Sequence, residues 1–530
     1  MRVPGATYRI QCHAEFPLAA VRAIVPYLDD LGISDVYLSP ITQARAGSTH
    51  GYDVVDPRRL DPRIGDEREL RELGADLRNR GMGLLLDIVP NHMATSPENP
   101  WWLDVLENGA GSPYAGWFDI QWQPTAVKGG LRGKLLLPIL GAPYGEVLEN
   151  KELQLALEED LPVLRYYEHR LPLSTRSFPH LLRPALAGLR ENHGAEHPAA
   201  RALARLADES DQVPPRIEEP AGDGRADAQV KRHLSTLLRE HPEARVQLER
   251  AIEQLNGIAG DPASFNALDR LLSEQPYWLA YWRLASQEIN YRRFFNITDL
   301  VAVRVEERAV FDAVHEFVLW LAREGIVGGF RVDHIDGLWS PAAYLKQLQR
   351  RLAGNRRERA YVVVEKILAR GEELPQGWEC AGTTGYEFIL ALNDLLVDSA
   401  GLAELGGAYA RLADGEPGFE EVRYEKKKLV MQRLFGGEVA SLAERLGSLA
   451  SLDRHARDLP LAELGRALVE TTACLAVYRT YIEGPEVAPA DRAVLERALA
   501  EARRRLTAED VSDAAFSFLR RVLLMEPVYG

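Results

Sequence analysis

The chain has 530 residues, 46% of them hydrophobic and 27% charged, enough for several domains or for one large barrel carrying insertions, and too ordinary for a disordered or fibrous protein. Acidic residues outnumber basic ones 78 to 63, a net charge of -15, which argues against nucleic acid as a partner and is easier to reconcile with a neutral substrate. Cys12, Cys380 and Cys474 lie far apart without a CxxC pair, the amino terminus has no apolar run behind a basic start, and no stretch of about 18 apolar residues occurs, so the expectation is a cytoplasmic protein, neither exported nor membrane-inserted.

The first hundred residues alternate short apolar runs with helical patterns: TYRIQ, VRAIVPYLDDLG, DVYLSPI, ERELRELGADLRNRG and GLLLDIVP. This β, α, β, α, β rhythm predicts parallel strands with crossover helices, and Gly32 and Gly81 stand where carboxyl-terminal helix caps belong. From 101 to 290 the rhythm is lost. The stretch from Trp101 to Gly145 reads as irregular with short strands, and Ala185 to Leu255 as helical, broken by a loop near Val213 to Asp227. The β/α rhythm resumes with a helix from about Ala309 to Glu324, a strand in GGFRVDH, a helix from about Pro341 to Leu352 and a strand in AYVVVEKIL. After Phe388 the chain reads as mostly helical. Four parts are therefore expected: barrel from 1 to 100, an inserted irregular and helical subdomain from 101 to 290, barrel again from 291 to 395, and a helical region from 396 to 530.

Catalytic groups of a parallel barrel gather at the carboxyl ends of its strands. Three polar clusters fall there: Asp87, Asn91 and His92 after LLL, Arg331, Asp333 and His334 in FRVDH, and Glu365 and Lys366 after YVVV. A carboxylate directly after a buried run is costly unless it is paired or used. Taken singly, Arg331 and Asp333 read as a structural pair and His92 as a satisfied loop histidine.

Taken together and in order, the three clusters resemble the strand-three, strand-four and strand-five motifs of the α-amylase superfamily. The resemblance implies a (β/α)8 TIM-type barrel in the α/β class, with Asp333 as nucleophile, Glu365 as general acid/base, and Arg331 keeping Asp333 ionised and oriented. Asp87 and Asn91 would lie on the substrate side, His92 would hydrogen-bond the sugar at the cleavage point, and Tyr52, in STHGYDV, would stack under it. A retaining reaction needs two carboxyls roughly 5 Å apart, one ionised and one protonated. Arg331 is expected to lower the pKa of Asp333 while apolar walls raise that of Glu365.

Further segments, among them YRIQ, SPITQARAGSTHGYDVVDP, GKLLLPILG, INYRRFFNITDLVAVRVE, DHIDGLWSP and AGTTGYEF, resemble the maltooligosyl trehalose synthase branch. That branch implies an intramolecular transfer: a glycosyl intermediate forms on the nucleophile, and the released reducing-end glucose stays, turns and is rejoined through an α,α-1,1 linkage. His50, His334 and Lys366 are candidates for holding that glucose. Their plainer readings are a loop hydrogen bond, packing beside the strand and a surface ion pair. The implied partners are a malto-oligosaccharide or α-1,4-glucan substrate and a functional link to a trehalose-releasing hydrolase.

No cofactor is implied by the sequence, which carries neither a phosphate-binding glycine loop nor a metal cluster, and a structural calcium stays open. The superfamily's third carboxylate, an Asp preceded by His, has no match; the nearest feature, Asp453-Arg454-His455, is out of order. The expectation is a barrel incomplete at its carboxyl end, about six strands of eight, with low activity and poor solubility alone. Two other readings stay open: a hydrolase or transglycosylase using the same carboxylates, and a glucan-binding remnant.

Overall fold

The computed structural model describes residues 2–123, 131–213, 225–354, 359–413, 418–507 and 509–527, so most of the loop expected from 213 to 227 lies outside the described residues. The chain divides into two compact units, one running to Met93 and resuming at Val303, the other spanning Ala94–Ala302.

In the first unit, six parallel strands form one sheet: β1 (Thr7–Ile10), β2 (Asp35–Leu38), β3 (Gly83–Ile88), β4 (Gly329–Val332), β5 (Tyr361–Val364) and β6 (Gly382–Thr383). They lie side by side in chain order, so that consecutive strands of the sheet are hydrogen-bonded neighbours. Four helices accompany them: α1 (Leu18–Asp30), α2 (Glu67–Asn79), α3 (Arg308–Arg323) and α4 (Pro341–Ala353). The last two match the expected helices to within a residue. Asp66 and Glu69 close a reciprocal capping box at the start of α2, and the Ser340 side chain caps α4. Gly32 and Gly81 adopt φ of +84° and +70° just past α1 and α2, as caps.

The pleat sorts the side chains. Val36, Leu38, Leu84, Leu86, Phe330, Val332, Val362 and Val364 are at most 2% exposed, the buried outer face of the sheet. The register Arg331↔Asp87 and Arg331↔Val363 then directs Tyr37, Asp87 and Arg331 to the other face, where Asp333 and Glu365 follow at the strand exits. Gly329 in β4 is required by closeness: a Cβ there would stand 2.8 Å from the Tyr361 carbonyl and 2.7 Å from a Leu85 methyl.

The rest of this unit is helical, as expected after Phe388. Gly436–Ala450, Leu461–Ala473, Pro489–Arg505 and Asp513–Leu523 share a core of Leu446, Leu464, Leu499, Phe516, Phe518 and Leu519. Tyr386–Leu396 and Ser399–Leu412 bury no residue: Phe388, Leu395 and Leu412 are 70, 80 and 88% exposed. Gly382–Thr383 forms β6, the last strand of the sheet in chain order.

The second unit corrects in part the reading of Trp101 to Gly145 as irregular with short strands: a strand is present, and so is a helix. Pro100–Asn108 is a helix, begun by proline at its first position and capped by the Asn99 side chain; Trp101 and Trp102 are buried in it. Leu135–Leu140 pairs in parallel with Tyr277–Tyr281, and Gln154–Glu158, Leu161–Tyr166 and His169–Pro172 form an antiparallel sheet not anticipated from the sequence. The expected helices are present as Pro179–His193, Pro198–Asp211, Arg225–Glu240 and Pro242–Leu255. Among the described residues no helix is long and apolar enough to cross a membrane.

Candidate active site

At the exits of β3, β4 and β5, three carboxylates surround one guanidinium. Arg331 Nη1 donates to Asp87 Oδ1 at 2.8 Å, to Asp87 Oδ2 at 3.0 Å and to Asp333 Oδ1 at 2.7 Å, and Nη2 lies 3.0 Å from Glu365 Oε1. The side chain of Asp87 is wholly buried, and its Oδ2 accepts further hydrogen bonds from the Tyr37 hydroxyl at 2.8 Å and the Tyr52 hydroxyl at 2.6 Å. Arg9 donates to the Tyr52 hydroxyl at 3.1 Å and lies over the Tyr37 ring. Asp87 is therefore fully occupied as the anchor of Arg331, not presented to a ligand as expected. Glu365 is more open, its side chain 24% exposed, with Oε2 accepting the His334 backbone N–H at 2.8 Å and Oε1 3.5 Å from the Tyr386 hydroxyl.

Burial raises the pKa of Asp87, and it pushes that of Asp333 up to about 7, with Glu365 and Asp87 adding repulsion that Arg331 offsets only in part. Arg331 lowers the pKa of Asp333, as expected, but one guanidinium shared among three carboxylates cannot also cover the cost of removing Asp333 from water, so the net direction is upward. Burial opposes the charge on Arg331, but Asp87, Tyr37, Asp333 and Glu365 together hold it more firmly protonated. Burial, then the neighbouring Asp87, raises Tyr37 and Tyr52, which keeps both as hydrogen-bond donors. The Oδ2 of Asp333 is buried and has no hydrogen-bond partner among the described residues.

The remaining expected residues divide. Asn91 and His92 are each 1% exposed, with Asn91 Nδ2 and His92 Nδ1 3.3 Å apart. His334 takes a left-handed backbone conformation, φ 44°, in the tight turn after β4; a Cβ on Gly337 would collide with the His334 ring at 2.2 Å, so glycine alone fits that turn. His50 Nδ1 accepts the Tyr52 backbone N–H at 3.0 Å, and its ring lies 5.9 Å from that of Tyr52. Lys366 fits neither of its readings, since its side chain has no exposure and its ammonium lies between Asp336 and Glu372. Asp453 belongs to the helical region, where its carboxylate accepts from Arg521 and from the His455 backbone N–H.

Sequence reasoning missed Tyr37, Arg9 and Tyr386. A polar side chain alternating with Val36 and Leu38 was a usable signal for Tyr37; nothing local distinguishes Tyr386.

A family model described as the α-amylase catalytic domain matches residues 18–138. A protein of Mycobacterium tuberculosis named as a maltooligosyl trehalose synthase is 34% identical over 407 residues, 76% of this chain and 39% of that protein. An intracellular maltogenic amylase of Bacillus subtilis is 43% identical over 99 residues, covering 19% of this chain and 16% of the amylase. The solved maltooligosyltrehalose synthase from Arthrobacter ramosus superposes with a TM-score of 0.67 at 30% identity, over 98% of this chain and 55% of that one. The chain thus spans about half the length, or less, of the synthases it matches.

Proposed function

We propose, on the premise that the chain corresponds to the amino-terminal part of a maltooligosyl trehalose synthase of the α-amylase family, that it carries the reacting carboxylates for converting the reducing-end α-1,4 linkage of a malto-oligosaccharide into an α,α-1,1 linkage. The observation that carries this reading is the bridging of Asp333 and Glu365 by Arg331 at the exits of adjacent parallel strands. Asp333, once ionised, attacks the anomeric carbon through Oδ2, while Glu365 protonates the departing glycosidic oxygen. The freed glucose turns, and its anomeric hydroxyl attacks the glycosyl ester as Glu365 takes up the proton. The water-poor surroundings of Asp333 favour the sugar hydroxyl over hydrolysis.

In this reading Asp87, Tyr37 and Tyr52 hold Arg331 in place, the Tyr52 ring and His92 border the sugar under attack, and His50 and His334 border the released glucose, with Asn91 beside His92. The substrate is a malto-oligosaccharide or α-1,4-glucan, and its product suits a trehalose-releasing hydrolase. The six parallel strands are read as strands of a (β/α)8 barrel, and Phe388, Leu395 and Leu412 stand exposed on the helices that follow them. In this reading residues 1–100 and 291–395 make up the barrel, 101–290 an inserted subdomain and 396–530 a helical region, and the setting is cytoplasmic. Incubation with maltopentaose followed by anomeric proton NMR tests the assignment: α,α-1,1 signals support it, and new α-1,4 reducing ends without them point to a hydrolase.

A further inference from the structure

A short segment after the helix Leu461–Ala473 reaches the two loops that leave β4 and β5. Lys366, next to Glu365 in sequence, has its Nζ 3.1 Å from Asp336 Oδ2 and 2.8 Å from Glu372 Oε1. Asp336, three residues beyond Asp333, also accepts a hydrogen bond from the Tyr481 hydroxyl. The backbone carbonyls of Asp336 and Leu338 both accept from Arg479 Nη1, at 2.9 and 2.7 Å. The Tyr481 ring packs against Lys366 Nζ at 5.5 Å, the Arg479 guanidinium at 5.0 Å and Trp378 at 5.1 Å. Tyr478 meets His334 edge-on at 6.1 Å, and it is the His334 backbone N–H that holds Glu365.

A lysine with no exposure is tolerated only while its carboxylate partners stay in place. The buried pair Lys366–Asp336 therefore ties the loop after Asp333 to the loop after Glu365, and Arg479 and Tyr481 hold the Asp336 end of that tie. We infer that Arg479 and Tyr481 are positioning residues that set the separation of Asp333 and Glu365 through the Asp336–Lys366 pair. The inference rests on the reading of those two carboxylates as the reacting pair. Neither residue need touch substrate. A misplacement of about 1 Å at a reacting carboxyl costs on the order of a hundredfold in rate, so loosening this tie acts on the chemistry before it acts on binding.

Covalent labelling by conduritol B epoxide, a glucose-like cyclitol, tests this without requiring turnover. The Asp333 carboxylate forms an ester bond to an epoxide carbon as that carbon–oxygen bond breaks, and Glu365 delivers its proton to the released oxygen, so the rate reads both groups and their spacing. Labelling rates at several pH values, by intact mass and peptide mapping, are compared with urea unfolding for wild type, Tyr481→Phe, Arg479→Met and Arg479→Lys. The expected result is labelling about 10- to 100-fold slower in Tyr481→Phe and Arg479→Met, with an altered pH profile and partial recovery in Arg479→Lys. Tyr481→Phe keeps the ring packing and so guards against simple misfolding. Wild-type rates and pH profiles in the variants, or losses that follow only the unfolded fraction, overturn the inference. A wild-type chain that is not labelled at Asp333 overturns the catalytic reading, and this inference with it.

Discussion

Arg331 and Asp87 sit at the same register position on neighbouring parallel strands, and one guanidinium nitrogen of Arg331 reaches both oxygens of the Asp87 carboxylate, at 2.8 and 3.0 Å. Asp87 thereby fixes Arg331, which in turn fixes Asp333 and Glu365.

Arg331→Met leaves three carboxylates without their shared cation. A loss of about 3–5 kcal/mol is expected at pH 7, because breaking one side of a buried ion pair strands the other. The loss shrinks as pH falls and the carboxyls take up protons. Urea unfolding at pH 5 and pH 7 measures it; an equal loss at both values contradicts the account.

Tyr37→Phe removes one donor from the buried Asp87. The expected cost is about 1–3 kcal/mol in unfolding free energy, the penalty for a buried acceptor deprived of one bond to a charged group. Tyr52→Phe should resemble it in stability and additionally weaken glucan binding if the ring borders the sugar, as isothermal titration with maltopentaose would register.

Stability should depend on pH through Asp333. Its folded pKa, raised to about 7, exceeds the unfolded value near 3.8, so the folded chain binds more protons between those limits. Stability from this group is complete below about pH 4 and is lost as pH rises through 7; the raised pKa of Asp87 acts with the same sign. Asp333→Asn removes its share of the slope. Denaturation midpoints at half-unit intervals from pH 4 to 8 would contradict this if both proteins gave the same slope.

The apolar surface of Tyr386–Leu396 and Ser399–Leu412 predicts self-association of the isolated chain. Leu395→Glu combined with Leu412→Lys should raise the monomer fraction by size-exclusion chromatography with light scattering, with little change in unfolding free energy because neither side chain is buried.

The carboxyl ends of β3, β4 and β5 were legible in the sequence because each joins an apolar run, broken in β4 only by Arg331, to an abrupt carboxylate, a pattern that parallel strands covered on both faces produce. Asp333 and Glu365 were found this way, and Arg331 with them. What Asp87 does was not legible, since Tyr37 and Tyr52 are 50 and 35 positions away in sequence and meet it only when the strands pair. For the same reason the net direction of the Asp333 pKa was not legible: a sequence displays the arginine beside it, not the burial that raises it or the two other carboxylates that divide the arginine's charge. Lys366 looked like a surface cation because its partner Asp336 and the covering Tyr481 come from separate segments. In the second unit, the antiparallel strands between Gln154 and Pro172 were hidden by charged residues on their exposed side.

The central claim is that Asp333 and Glu365 rearrange a reducing-end linkage. Its most direct test uses the chain at concentrations equal to maltopentaose, with reducing ends and free glucose counted together and Asp333→Asn in parallel. The account predicts a slow loss of reducing ends without matching glucose in the wild type, and at least about a 10⁴-fold slower loss in Asp333→Asn despite retained maltopentaose binding. Reducing ends that rise or stay constant, or an Asp333→Asn chain that matches the wild type, would contradict it.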